Sequence, residues 1–530
     1  MAAPRSSFPF RTVHVTVLVL CAVFLPWSTA FLSMAQMLLA ANWLAQGVVE
    51  RSLAQRFRTG FASPPAFIFM SFFLLHLAGL LWTEDMAWGL DLCRILFPIA
   101  VFTPILASSQ PLSSPEWRSV LLWGAWSAIA CGVFGVVFSG AGPDDYRGLS
   151  MFISHIRLAL LLCMSVFVLV AFRSESRWVN VCQWAGAVVA LYLINRLGSI
   201  QGFFIVGLSG AWYLWRWVAG VSNALRWSVR GTLVLVPLLL LLGCIRAIGE
   251  RHVPLPAGLG SKVERTAGGE VYYHDTTNTQ TENGTHVWTY LAWGELRRTW
   301  TTRSARTLDD ADDKGHPLWS TAVRYLASKG VRKDSVSIMA LSDTEVRAIE
   351  QGTTNVLSGR RGKLRERLEE VLFELDIYRS SGMANGHSVA MRIEFQRAGW
   401  AIARTNWLHG VGTGDTQRAF DAYYTASRSM LEPQWRLRAH NEYLTLWISF
   451  GLFGLLWSLF TWYWPARVVR AWQDPIFVAW AITFMVSCFT DDTIETQAGA
   501  TFFVLYYTLF VFAAPRERSG APTPLPRVSE

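Results

Sequence analysis

His440 stands in "RLRAHNEYL" (436–444), behind Arg436 and Arg438 and just ahead of a long apolar run. Imidazole is the side chain whose proton comes and goes near neutral pH. Two flanking arginines would keep it neutral, the state a general base requires. The bland alternative is a hydrogen-bonded histidine at a membrane interface. A second pattern is made of arginines inside apolar runs: Arg94, with Asp91 one turn before it, Arg157 with His155, Arg196 and Arg246. Charge in hydrocarbon is costly, so such residues usually face a site. Guanidinium groups from several spans at one depth describe a site for an anion. The alternatives are a structural Asp91–Arg94 pair and arginines that snorkel to headgroups.

A third stretch, "LHGVGTGDTQRAF" (408–420), is rich in glycine. Gly410, Gly412 and Gly414 could offer backbone N–H groups to an anion, but the GK[ST] of a nucleotide P-loop is missing. The default is a turn that ends at Asp415 as the N-cap of a helix. HExxH, paired cysteines and close histidine pairs do not occur, so neither a catalytic metal nor a cofactor is expected. GxSxG and similar nucleophile signatures are missing too.

The elements that must position these residues are mostly membrane helices. Of 530 residues, 52% are hydrophobic and only 16% charged, with 26 Trp and 32 Phe. A soluble domain carries about a quarter charged residues. Apolar runs of spanning length recur at 12–28, 30–49, 64–82, 88–107, 119–139, 151–171, 178–195, 199–216, 231–248, 443–463, 474–490 and 498–514, about twelve spans in all. The expectation is an all-α polytopic membrane protein: N-terminal transmembrane helices over 1–248, a large mainly helical outside segment over 249–440, C-terminal transmembrane helices over 441–515 and a cytoplasmic tail over 516–530. The net charge of +9 does not imply nucleic acid. Arginines collect in alternate loops (Arg51, Arg56 and Arg58; Arg173 and Arg177; Arg467 and Arg470), while acids collect in the others (Glu84 and Asp85; Asp144 and Asp145; Asp491, Asp492 and Glu495). That is the bias that orients membrane proteins, with both termini inside. The outside segment has no cysteine, hence no disulfide framework. Its helices are legible: Ser342 and Glu345 form a capping box, and Met391, Phe395, Ala398 and Ile402 form one apolar stripe.

Taken together, "NRLGSIQGFFIVGL", "RIEFQRAGWAIARTNWLHGVGTGD" and "RAHNEYLTLWISFGLFGLL" resemble the bacterial O-antigen ligase superfamily. Its members include O-antigen ligases, Wzy-type polymerases and protein O-oligosaccharyltransferases. The resemblance implies a C-type, inverting, metal-independent glycosyltransferase in the bacterial inner membrane, its active site facing the periplasm. The implied donor is a glycan on undecaprenyl diphosphate, and the implied acceptor is lipid A core or another glycan or protein. It assigns the base to His440 and diphosphate contacts to Arg196 and Arg392, with Arg157 and Arg94 as further candidates and Arg436, Arg438, Asp91 and Asp415 in support. Membrane lipids are the remaining expected partner. A lipid-linked glycan transporter is the competing class; it would show alternating half-repeats and broken helices at mid-bilayer.

Overall fold

The computed structural model describes residues 8–140, 147–249, 254–255, 258–259, 263–278, 280–358 and 363–515. The expected tail at 516–530 lies outside the described residues. Ten helices form the first part of the chain: α1 (Phe10–Phe24), α2 (Thr29–Val49), α3 (Leu53–Ala62), α4 (Pro64–Gly79), α5 (Met86–Leu96), α6 (Pro98–Ser108), α7 (Ser114–Phe138), α8 (His155–Ala171), α9 (Arg177–Arg196) and α10 (Ile200–Trp217). Then come α11 (Asn223–Gly249), a hairpin of β1 (Thr281–Glu282) and β2 (Thr285–His286), α12 (Trp293–Trp300), α13 (Leu318–Ser328), α14 (Ser335–Met339), α15 (Asp343–Glu350) and α16 (Lys363–Ser381). The chain closes with α17 (Ser388–Thr405), α18 (Thr416–Ala426), α19 (Glu442–Val468), α20 (Pro475–Thr490) and α21 (Gln497–Val511).

Every apolar run of the sequence falls on helix, so the all-α membrane class stands. The number of spans does not carry over. Among the described residues, seven helical stretches are long and apolar enough to cross a membrane: Thr29–Val49, Pro64–Trp82, Met86–Ser108, Ser114–Phe138, Arg177–Arg196, Asn223–Gly243 and Glu442–Val468. Phe10–Phe24, His155–Ala171, Pro475–Thr490 and Gln497–Val511 are apolar but fall short of the ~20 residues that cross a hydrocarbon core. Large apolar side chains such as Phe67, Leu74, Trp123, Val137 and Phe453 are exposed along these helices. That suits a surface that meets lipid rather than water.

The chain divides into two compact units. The first comprises 1–226, 395–427 and 437–530; the second comprises 227–394 and 428–436. The boundary thus differs from a cut at 249 and 440: the second half of α17, the glycine loop and α18 belong with the membrane helices. In the first unit α8 packs against α7 and α9, α4 against α19, and α20 against α8 and α10. Its core is continuous from Leu18 and Phe72 to Phe484 and Phe503.

The second unit has its own core around Leu291, Leu296, Trp300, Leu318, Leu326 and Ile349. The capping box is present: the Ser342 side chain accepts from the Glu345 N–H while the Glu345 carboxylate accepts from the Ser342 N–H. Asn283 and Gly284 turn the hairpin with positive φ at both positions, as a tight two-residue turn requires.

Candidate active site

His440 lies between the short 3-10 turn Pro433–Trp435 and the start of α19, in the first unit. Its φ is +47°, a left-handed conformation that a residue with a Cβ adopts only at a cost. The side chain is 34% exposed, so one edge of the ring is open. The other edge faces the connection from α20 to α21. Nδ1 lies 3.6 Å from Asp491 Oδ1 and 3.8 Å from Asp492 Oδ2.

Asp491 in turn meets Arg157, whose Nη1 lies 2.8 Å from Oδ2, and both side chains are nearly buried. Arg157 Nη2 also reaches the Asp492 carbonyl at 3.5 Å. Thr445 Oγ1 donates to Asp492 Oδ1 at 2.9 Å. One carboxylate therefore stands between an imidazole and a guanidinium. Burial works against the charged form of Asp491. The imidazole hydrogen bond and the Arg157 charge outweigh it and hold the carboxyl below the usual range.

The charges near the ring correct one expectation. The sequence order makes Arg436 and Arg438 the pair expected to keep the imidazole neutral. Arg438 is committed to the Glu495 carboxylate, and its guanidinium lies over Trp88 at 5.3 Å. Arg436 belongs to the second unit, where its Nε donates to the Leu431 carbonyl at 3.0 Å. The charged groups that face His440 Nδ1 are the carboxylates of Asp491 and Asp492. Glu495 is buried, which raises it to about 7; Arg438 opposes that rise, and Asp492 and Asp491 add to it. Glu442, the first residue of α19, is buried too and accepts from the Ile494 N–H at 3.1 Å.

The arginines separate into three situations. Helices α8 and α9 pack together and are joined by the short connection 172–176, so Arg157 and Arg196 sit at the same end of one hairpin. Arg196 is half-buried, and its Nε has no hydrogen-bond partner among the described residues. A buried N–H without a partner is costly, and a bound anion would remove that cost. Arg94 instead forms an i, i+3 pair with Asp91 at 2.7 Å, with both side chains more than half exposed. That is the structural pair weighed against an anion site. Arg392 is exposed on the first part of α17, within the second unit, as is Arg246 on α11.

The glycine loop does not present its N–H groups to an anion. They are spent on the fold: Val411 N–H donates to the Ile448 carbonyl at 2.8 Å, Gly412 N–H to that of Ser449 at 2.9 Å, and Gly414 N–H to Thr83 Oγ1 at 3.2 Å. The reason is a break in α19 at Gly451, where φ is +69°. The break interrupts the helix's own hydrogen bonds, and the loop replaces them, with Trp407 taking the Leu452 N–H at 2.7 Å. Irregular backbone inside a membrane helix needs such replacement. A Cβ at Gly451 would fall 2.0 Å from the Leu408 carbonyl oxygen.

Asp415 occupies the N-cap position of α18 but makes no capping bond with its side chain. Its carboxylate accepts from the backbone N–H of Glu84 at 2.7 Å and of Asp85 at 2.8 Å. Asp85 caps α5 through the Trp88 N–H at 3.0 Å. Asp415 thereby fixes the start of the helix whose Trp88 stacks on Arg438.

Asp491, Asp492 and Glu495 went unrecognised as site residues, because in sequence they read as acids of an outside loop. The available signal was their density: three carboxylates within "DDTIE" between two apolar runs. Among the described residues no group of His, Cys, Asp and Glu is arranged to hold a metal ion. Residues 352–459 match the family model described as O-antigen ligase. The match spans the glycine loop, His440 and the Gly451 break, and supports the superfamily that the motifs resemble. No curated protein matches the chain.

Proposed function

We propose that this membrane protein of the O-antigen ligase superfamily is a glycosyltransferase that moves a glycan from undecaprenyl diphosphate to lipid A core at the periplasmic face of the inner membrane. The observation that carries the reading is the array His440–Asp491–Arg157, with Arg196, whose Nε has no hydrogen-bond partner among the described residues, at the same end of the α8–α9 hairpin.

The chemistry follows from those groups. Asp491 on the Nδ1 side favours the tautomer with the proton on Nδ1, leaving the Nε2 lone pair as the base. An acceptor hydroxyl gives its proton to Nε2 while its oxygen attacks the anomeric carbon. The bond from that carbon to the diphosphate oxygen breaks, and undecaprenyl diphosphate leaves with the electron pair. Attack opposite the leaving group inverts the anomeric configuration. Asp491 stabilises the imidazolium that forms. Arg196 meets the charge that builds on the diphosphate, since a guanidinium offers two parallel donors to phosphate oxygens. Arg157, held by Asp491, adds positive charge beside the base.

Deletion of the gene, with lipopolysaccharide and glycoproteins resolved on gels, tests the acceptor. Loss of all long glycan on lipid A core is the expected result. A ladder that stops at one repeat would make the chain a polymerase, and loss of glycoprotein bands alone would make it a protein oligosaccharyltransferase.

A further inference from the structure

The left-handed backbone at His440 persists only if its surroundings fix it. The segment around it is tied down residue by residue. Tyr424 Oη donates to the Leu437 carbonyl at 2.8 Å. Gln396, on α17, donates from Nε2 to the Ala439 carbonyl at 2.9 Å. Its Oε1 accepts from Asn441 Nδ2 at 3.5 Å. Asn441 also caps α19, its side-chain oxygen accepting from the Leu444 N–H at 3.1 Å. One carboxamide therefore grips the residue before His440 and the residue after it. Ala439 is fully buried, so no water would replace the donor if Gln396 were lost.

We infer that Gln396 is a positioning residue for His440: its carboxamide brackets the left-handed turn and so aims the imidazole at Asp491. The inference rests on His440 being the base, and it assigns Gln396 no contact with donor or acceptor. Without the bracket the 439–441 backbone is free to relax toward negative φ. That swings the ring away from Asp491 and out of line with the acceptor. Arg157 and Arg196 are held by other elements, so the loss falls on the chemical step and spares donor binding.

The test uses the full-length membrane protein carrying Gln396→Ala or Gln396→Glu, with His440→Ala in parallel and undecaprenyl-diphosphate-linked glycan as donor. Ionised Glu keeps the side-chain length and the acceptor oxygen but cannot donate to the Ala439 carbonyl. It decides the matter if Gln396→Ala does not fold. Expected is a fall in kcat on the order of ten- to a hundred-fold, with donor KM and melting temperature unchanged. Wild-type kcat in the folded Gln396 variants beside an inactive His440→Ala overturns the positioning role and leaves the base in place. Wild-type transfer by His440→Ala overturns the base and this inference with it. A lower kcat accompanied by a raised KM and a lower melting temperature in both variants marks a general structural role, and also overturns it.

Discussion

Nδ1 of His440 lies 3.6 Å from the carboxylate of Asp491, a residue separated from it in sequence by the whole of α19 and α20. The carboxylate orients the ring, stabilises the imidazolium and is itself held ionised by Arg157. Asp491→Asn keeps the shape and removes the charge. Transfer is expected to fall by about ten- to a hundred-fold, with donor KM unchanged, because what is lost is a charge-assisted contact that matters once the ring is protonated. Steady-state rates at matched protein levels check this.

The arginines are predicted to respond unequally to lysine. Arg196→Lys replaces a two-pronged donor with a point charge and should cost about ten- to a hundred-fold in transfer. The resemblance implies a diphosphate contact for Arg392 as well, and the same substitution there tests it. Arg94→Lys should leave transfer within a few-fold, since Arg94 is exposed and serves Asp91. A strong loss at Arg94 with none at Arg196 would move the anion site.

Glu495 gives a pH signature in stability. Its folded value of about 7 lies above the ordinary glutamate value because of burial. A group raised on folding contributes stability that is fully present below its unfolded value and is lost as pH rises through the folded one. The melting temperature of the purified protein should therefore drop as pH rises from about 4.5 to about 7 and level off above that. Glu495→Gln should flatten that drop while keeping a hydrogen-bonding partner for Arg438.

Gly451 tests the helix break. Gly451→Ala places a Cβ against the Leu408 carbonyl and demands a positive φ from alanine. Destabilisation of about 1–3 kcal/mol is expected, read as a lower melting temperature. An unchanged value would mean that α19 runs straight at this point.

His440, Arg196 and the glycine loop were legible in sequence because each is local: an imidazole before an apolar run, an arginine ending one, a cluster of glycines. Their partners were not. Which carboxylate meets His440 depends on how α19, α20 and α21 return to the same end, and no local pattern encodes that. Arg438 was misread for the same reason, as its nearness to His440 in sequence hid its commitment to Glu495. The glycine loop was read as a possible anion cradle because the break at Gly451, which consumes its N–H groups, lies some forty residues further along. Hydropathy locates the apolar runs but does not register helix length: α20 and α21 are largely apolar, yet end after 16 and 15 residues.

The central claim is that the imidazole of His440 takes the proton of the acceptor hydroxyl. Single-turnover transfer from undecaprenyl-diphosphate-linked glycan by His440→Ala, at matched membrane levels and with donor binding measured separately, tests it most directly. The account predicts a loss of about a hundred-fold or more in the transfer step, the scale of general base catalysis, with donor affinity intact. Transfer within a few-fold of the unsubstituted protein would contradict it.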